Sequence, residues 1–511
     1  MNKIYKLFNL DPEKNQNQFW LLLSLIVISS ILIAFLSPVK ILGLIIGILL
    51  LIAAIFKPLW IIFFLAIYTP FEPFLLKFIP DEIYIFARYF GEFLIYVIVL
   101  QIVINFITGR LKLKKTPLDL PFVLFFITAV ISLIINLVPI AVGVLGLRML
   151  LRYILVFYLI VYLNPPKKFV KNLIYTMLVI VFFQAALGAA QAFIGYPLDS
   201  LLLPSQEKFY GGISLTSGTQ QIWISGQRVF ATLGRYDQLG TFLAFFLLIV
   251  IGFLYQKSYT QISQKKLFLI LLILGIFTLV MTYSRSSWFG FLLGLFVIGY
   301  LIKKDKKVLK YYSLATFIII AYLFFSPMIV NQLIEQPQMT PVERFFEALS
   351  KRRWLGEYYG LGRMYFIVKT PTVVVASNPL FGVGPGMYGG GTVRALHNTR
   401  AYDKLGLPFG IWGTEGHIDN NWMSIWGETG TLGLIFYIWM LVALFRMSYR
   451  VYKNSEDRFG QGLALGYCGA IIAVSLNAFL ATFFEIRTLA LYLWMTGGVI
   501  YTLYPPSPLK S

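Results

Sequence analysis

The chain has 511 residues, of which 58% are hydrophobic, 17% aromatic and only 13% charged, with a mean hydropathy of +0.77. Soluble domains carry about 25% charged residues, so this chain lacks the polar surface of a soluble globular enzyme and is far too apolar for a disordered one. The net charge of +21, from 43 Lys+Arg against 22 Asp+Glu, points to cationic loops retained beside a membrane rather than to nucleic acid.

Apolar runs of the ~20 residues needed to cross hydrocarbon follow one another along the chain. They cover 19–37, 41–56, 59–79, 83–108, 118–138, 140–163 and 169–194, then 239–255, 267–283, 286–302 and 311–330, then 430–447, 462–484 and 488–504. The sequence predicts an all-α, polytopic transmembrane helix bundle of about 12–14 spans. The first run reads as an uncleaved anchor, since no small-residue cleavage pattern precedes it. Pro70 and Pro73 interrupt the third. The single Cys468 lies in an apolar run and allows neither an intrachain disulfide nor a cysteine metal site.

The cations cluster at Lys3–Lys14, Arg110–Lys115, Lys167–Lys171, Lys257–Lys266, Lys303–Lys310 and Arg446–Arg458. With both termini in the cytoplasm every cluster falls on the cytoplasmic side. Two outer segments remain, 195–238 and 331–429. The second, roughly a hundred residues long and far beyond the ~15 usual for a structureless loop, holds both histidines, and it is expected to cap the outer face. Within it, 344–359 has the pattern of one amphipathic helix at the interface. Four regions follow: 1–194 and 195–330 with helical spans, the 331–429 loop, and the C-terminal spans of 430–511. No internal repeat is visible, which argues against a transporter built on inverted repeats.

Charges inside spans are functional candidates unless they neutralise one another. Arg88 and Glu92 stand four apart and are expected to pair. Arg148 and Arg152 are also four apart, share a face, and need an anion from elsewhere, either Glu72 or a ligand phosphate. Further along come Arg228 and Arg235 in Gln227-Arg-Val-Phe-Ala-Thr-Leu-Gly-Arg-Tyr-Asp237, Arg285 in Thr282-Tyr-Ser-Arg-Ser-Ser287, and Arg363 after Gly360-Leu-Gly. Arg235 reads as a headgroup contact. Arg285 is fixed by a tight hairpin, and its planar fork suits a diphosphate.

The string Asn378-Pro-Leu-Phe-Gly-Val-Gly-Pro-Gly386 is either a phosphate-binding nest, with Gly384 and Gly386 offering backbone amides, or a tight turn returning the chain to the bundle. It is not a P-loop. Gly416-His-Ile-Asp-Asn-Asn421 then offers His417 or Asp419 as general base. Asp419 or Asn420 serves equally as a helix cap. No Asp-x-Asp pair, His-Glu-x-x-His or Gly-x-Ser-x-Gly occurs, so no metal site is expected and the chemistry, if any, is metal-independent.

The order Arg228…Leu-Gly-Arg-Tyr-Asp237, Tyr-Ser-Arg285-Ser-Ser, Gly-Arg363, Asn-Pro-Leu-Phe-Gly-Val-Gly-Pro-Gly386 and Asp-Asn-Asn-Trp-Met…Gly-Glu428-Thr-Gly-Thr-Leu-Gly433 resembles the O-antigen ligase/polymerase superfamily over residues 228–433. The resemblance implies an inverting, metal-independent membrane glycosyltransferase of the bacterial cytoplasmic membrane, without cofactor. Such an enzyme takes a glycan from an undecaprenyl-diphosphate carrier to an acceptor glycan or glycolipid. It further implies that Arg228, Arg285 and Arg363 meet the diphosphate. Apart from the resemblance, the residues themselves offer Arg148, Arg152, Asn420, Gly384 and Gly386 as further candidate substrate contacts. The family's His-Asn position falls on Asp419-Asn420, with His417 two residues earlier, so His417 and Asp419 both stand for the base and ligase and polymerase both stand for the reaction. A transporter of a small anion or glycan, and a structural scaffold, are the rival readings. The transporter would thread polar residues through the whole membrane, whereas here they gather toward one face.

Overall fold

The computed structural model describes residues 23–24, 27, 38–204, 209–210, 213–214, 227–258, 261–334, 336, 339–410 and 415–503; the predicted anchor at 19–37 lies largely outside them. The chain divides into residues 1–61 and 62–511. In the first, α1 (Pro38–Phe56) is described, and α2 (Pro58–Tyr68) begins there and runs on into the second.

Among the described residues of 62–511 the regular structure is helical apart from a two-residue antiparallel ladder pairing Phe209 with Ser214 and Tyr210 with Ile213. After α2 come α3 (Glu72–Leu75), α4 (Asp81–Ile107), α5 (Asp119–Ile135), α6 (Ile140–Leu151), α7 (Ile154–Leu163), α8 (Lys167–Ile194) and α9 (Tyr196–Leu202). They are followed by α10 (Tyr236–Tyr255), α11 (Ile262–Met281), α12 (Arg285–Phe296) with a π-helical extension, and α13 (Lys306–Phe325). Six short helices follow in two groups: α14 (Pro327–Gln332), α15 (Pro341–Glu347), α16 (Lys351–Tyr359) and α17 (Arg363–Lys369), then α18 (Gly390–Ala395) and α19 (Arg400–Leu405). The chain ends with α20 (Asn421–Asn454), α21 (Arg458–Asn477) and α22 (Arg487–Thr502). Among the described residues eight helices are long and apolar enough to span a membrane, or ten if each bent pair is one span. The sequence count of 12–14 is larger because it also takes in the 19–37 run and shorter helices such as α1, α5 and α22.

Two predicted single spans are bent pairs. The 59–79 run turns by 78° between α2 and α3, where Pro70 and Pro73 withdraw backbone donors. The 140–163 run turns by 57° between α6 and α7 without a proline. There Arg152 keeps helical backbone angles and its guanidinium donates to the Glu485 carbonyl at 2.8 Å. The amphipathic 344–359 element is likewise two helices, α15 and α16. Thr340 and Glu343 close a capping box at the start of α15, and Glu347 at its end turns inward to Arg285 and Arg353.

The centre is α10, buried on every face from Leu239 to Phe253. A small-residue stripe on α21 lets it approach. A Cβ on Gly252 would stand 2.3 Å from the Gly462 carbonyl, and one on Gly466 would stand 2.4 Å from the Ile249 Cα. On the other side of the stripe α12 meets α21 at Gly294 and Gly469. Such close backbones gain dispersion contacts that lipid cannot replace. Polar side chains join the same three helices, with Asn477 donating to Thr241 at 3.1 Å and Thr241 sharing a hydrogen bond with Ser287 at 3.0 Å.

The helix carrying the end of the predicted loop is longer than expected. α20 begins at Asn421, nine residues before the predicted span start at 430, and breaks at Gly430, where φ is 68°. The 378–386 loop fills the break. Thr431 N–H donates to the Pro379 carbonyl at 2.9 Å, Val383 N–H to Gly427 at 2.9 Å, and Gly384 N–H to Glu428 at 3.0 Å. Broken helices persist in membranes only where protein or water satisfies the freed groups.

The two ends of the helices differ. Lysine-bearing ends gather together: Lys171 faces Asp457 at 3.6 Å, Lys303 lies over Tyr452, and Tyr501 bonds the Lys115 carbonyl. The other ends of α4, α10 and α22 surround a cavity.

Gly252→Leu is expected to overpack the α10–α21 seam and cost at least the 1–3 kcal/mol typical of an added core side chain, read as a lowered Tm in detergent. Gly356→Leu, where nothing lies within 4 Å of the new Cβ, is the control expected to leave the Tm unchanged.

Candidate active site

The cavity, of about 590 Å³, is walled by the first turns of α4, the broken α6, the start of α10, α18, the 416–419 turn and the α21–α22 connection. Its ionisable lining is Glu72, Arg88, Glu92, Arg148, Arg152, Arg235, Asp237, Arg394, His417, Asp419, Glu485 and Arg487.

One wall comes from helices outside the family-like segment, α4 and α6 before it and the start of α22 after it. The expected Arg88–Glu92 pair does not form. Glu92 instead takes both inward arginines, with Arg148 gripping it bidentately at 2.5 Å and 2.5 Å and Arg152 reaching it at 3.1 Å. The anion for Arg148 and Arg152 is therefore Glu92, not Glu72. Bringing α4 beside α6 makes this contact, which sequence spacing alone does not reveal. Glu72 pairs with Arg487, whose guanidinium also donates to the Arg88 carbonyl. Tyr89 carries the guanidiniums of Arg148 at 4.8 Å and Arg487 at 5.5 Å from its ring centre. Arg88 points Nη1 at the Tyr84 hydroxyl at 3.5 Å, and the Nε atoms of Arg88 and Arg152 are buried without a hydrogen bond. Four guanidiniums (Arg88, Arg148, Arg152, Arg487) thus stand against two carboxylates (Glu72, Glu92). Membrane-embedded charge of one sign is costly, and this wall retains it.

The second wall is the 416–419 turn. Gly416 takes φ 69°, and Ile418 is fully buried as the anchor. His417 and Asp419 are thereby turned toward each other, Nε2 to Oδ1 at 2.9 Å. Burial works against the Asp419 charge, though 39% of the side chain remains accessible. The hydrogen bond and charge of His417, with the charges of Arg363 and Arg235, outweigh that burial and hold the carboxyl well below the usual range. His417 Nδ1 is buried with no hydrogen bond. Asn420 is the helix cap, its side chain accepting from Met423 N–H at 3.1 Å, and it does not line the cavity.

The remaining predicted arginines are placed differently. Arg285 is off the cavity wall and paired with the fully buried Glu347. From there alternating charges lead inward: Glu347 to Arg353 at 2.7 Å, Arg353 to Glu357 at 2.8 Å, Glu357 to Arg363 at 3.5 Å, and Arg363 to Asp419 at 3.6 Å. Arg228 stacks on Tyr236 at 4.1 Å and is also off the wall. Arg235, read from sequence as a headgroup contact, is on it, in a bidentate pair with Asp237 at 3.0 Å. The amides of Gly384 and Gly386 donate to the Glu428 carbonyl and carboxylate, both at 3.0 Å. They are not open to a phosphate, so of the two readings of that loop the tight turn is the one observed.

Sequence reasoning missed Glu485, Arg487 and Arg394. The first two sit between apolar runs in Phe484-Glu-Ile-Arg-Thr488, one residue beyond a predicted span end, and two charges in so short a connection were the available signal. Glu485 accepts from Gly391 N–H at 2.9 Å and from Asn421 at 3.1 Å. Burial raises its carboxyl above the ordinary value, against the pull of the Gly391 amide, His417, Arg152 and Asn421. Among the described residues no group of three or more His, Cys, Asp and Glu is placed to hold a metal ion.

Glu92→Gln is expected to leave Arg148 and Arg152 facing each other and to cost about 3–5 kcal/mol, the range for a broken buried pair. The check is the Tm of the purified variant, and the Glu92→Met/Arg152→Met double variant is expected to recover a good part of the loss.

Residues 267–438 match the family model described as O-Antigen ligase. That segment runs from α11 through the charge relay, the glycine loop and the His417–Asp419 turn into α20. No curated protein matches the chain. It is a multi-pass membrane protein whose segment 267–438 is similar to the O-antigen ligase family.

Proposed function

We propose that this protein is a glycosyltransferase that moves a glycan from an undecaprenyl-diphosphate carrier onto a hydroxyl of an acceptor glycan or glycolipid. The observation that carries the reading is one cavity holding both a carboxylate–imidazole dyad and a wall with more guanidiniums than carboxylates. Cationic loops are retained in the cytoplasm, so the lysine-bearing ends lie there with both termini, and the cavity opens on the outer face of the bacterial cytoplasmic membrane.

Asp419 holds the Nε2–H tautomer of His417, which leaves the Nδ1 lone pair as proton acceptor. Nδ1 takes the proton of the acceptor hydroxyl as its oxygen bonds to the anomeric carbon. The bond from that carbon to the diphosphate oxygen breaks, and the diphosphate leaves with the electron pair. Arg88, Arg148 and Arg152 meet the charge that develops on it. Preorganised donors of this kind are worth most in a water-poor site, and they take the part a divalent ion plays elsewhere. Arg363, with long contacts to its carboxylates and a buried, unbonded Nε, is the relay member able to turn to a phosphate oxygen. Arg285 then acts as a positioning residue, holding Glu347 and through it the relay.

The test uses purified protein in nanodiscs with undecaprenyl-diphosphate oligosaccharide and a separate acceptor. His417→Gln is expected to lower kcat by about 10²–10⁴, the span of general-base contributions, with the folded protein retained. Arg148→Gln and Arg152→Gln are expected to weaken turnover of the diphosphate donor, and a chelator to leave the rate unchanged. A product ladder marks a polymerase, and single transfer to the added acceptor marks a ligase. Wild-type turnover by His417→Gln would remove the dyad from the mechanism.

A further inference from the structure

A second cavity, of about 160 Å³, lies at the lysine-bearing end, against the C-terminal half of α20. Arg446 and Arg450, one turn apart on one face of α20, form its polar side, with Pro117 of the segment before α5 opposite. The same face continues inward through Val442 and Trp439 to Ile435, which are 39%, 39% and 51% exposed. At 1.5 Å per residue the row from Arg446 to Ile435 is about 16 Å long. It therefore reads as a cationic head followed by an uninterrupted apolar track along the membrane-facing side of the helix. In the sequence Arg110, Lys112, Lys114 and Lys115 precede Pro117, outside the groove lining.

We infer that this groove is a binding site for an anionic phospholipid. The phosphate lies between Arg446 and Arg450, and an acyl chain lies along Val442, Trp439 and Ile435. Charge complementarity selects the headgroup: a basic pocket between helices at one membrane surface attracts lipid phosphates by about 1 kcal/mol per cation. The apolar track selects a lipid over a free phosphate ion, since the pocket offers a phosphate two donors at its rim and hydrocarbon below. The groove shares no lining residue with the outer cavity, so the inference stands whether or not the glycosyltransferase reading does.

The full-length protein, purified in neutral detergent, would be titrated with phosphatidylglycerol and with phosphatidylcholine and followed by native mass spectrometry. The wild type is expected to bind phosphatidylglycerol in preference. Arg446→Gln/Arg450→Gln is expected to weaken that binding about thirty-fold, the fold-change of two cations at the surface value, with an unchanged elution profile. Lys265→Gln/Lys266→Gln removes two exposed cations from the first turn of α11 and is expected to keep wild-type binding. Equal binding of the two lipids, undiminished binding by the arginine variant, or an equal loss in the lysine variant would overturn the site; the last would reduce it to diffuse surface charge. Inorganic phosphate displacing the lipid from the wild type at comparable concentration would also overturn the role given to the apolar track.

Discussion

The contact on which the cavity depends is Glu92 held between Arg148 and Arg152. One carboxylate, 4% exposed, fastens α4 to the break between α6 and α7. It cannot satisfy both guanidiniums fully, because Arg148 takes both its oxygens and leaves Arg152 a shared one. Buried ion pairs of this sort are weak evidence of stability, since the cost of desolvating three charged groups is of the same order as their attraction. Their consequence here is positional. They set arginines at a depth in the membrane where an unbound cation is unfavourable and a ligand anion is correspondingly welcome.

The two walls of the cavity follow different electrostatic rules. On the α4–α6 wall cations outnumber carboxylates. The other wall carries the Arg235–Asp237 pair and Asp419, and behind Asp419 a relay of Arg285, Arg353 and Arg363 alternates with Glu347 and Glu357, so that charges of the two signs balance, four against four. A balanced row attracts no anion strongly but fixes geometry, because Glu347, Arg353, Glu357, Arg363 and Asp419 are each held from two sides. The arginines that carry the family resemblance thus lie mostly in the balanced row, and the excess charge lies on helices outside the matched segment. In the proposed reaction, one set of arginines orients the His417–Asp419 dyad and the other attracts the diphosphate donor.

Much of the helical architecture was legible because membrane-spanning runs are written locally, in hydropathy and flanking lysines. The turn bearing His417 and Asp419 was legible for the same reason, since both residues and the capping Asn420 lie within four positions. What the sequence withheld were partners far apart in the chain. Glu92 meets Arg148 and Arg152 across 56 and 60 positions, and Glu72 meets Arg487 across 415. Local spacing suggested Arg88 for Glu92, and the tertiary contact overrode it. The glycine loop was ambiguous because positive φ serves a phosphate nest and a close helix contact alike; only the position of Glu428 and the Gly427 carbonyl decides between them.

The break at Gly430 bears on how the protein is made. Residues 378–386 leave the ribosome before α20 does, so the groups that complete the interrupted helix are already waiting when it enters the bilayer. An isolated copy of α20 would arrive with bare carbonyls and amides in oil and would straighten or be rejected. Biogenesis of this domain is therefore ordered along the chain, and moving the loop behind its helix by circular permutation would take away the backbone chaperone that the native order supplies.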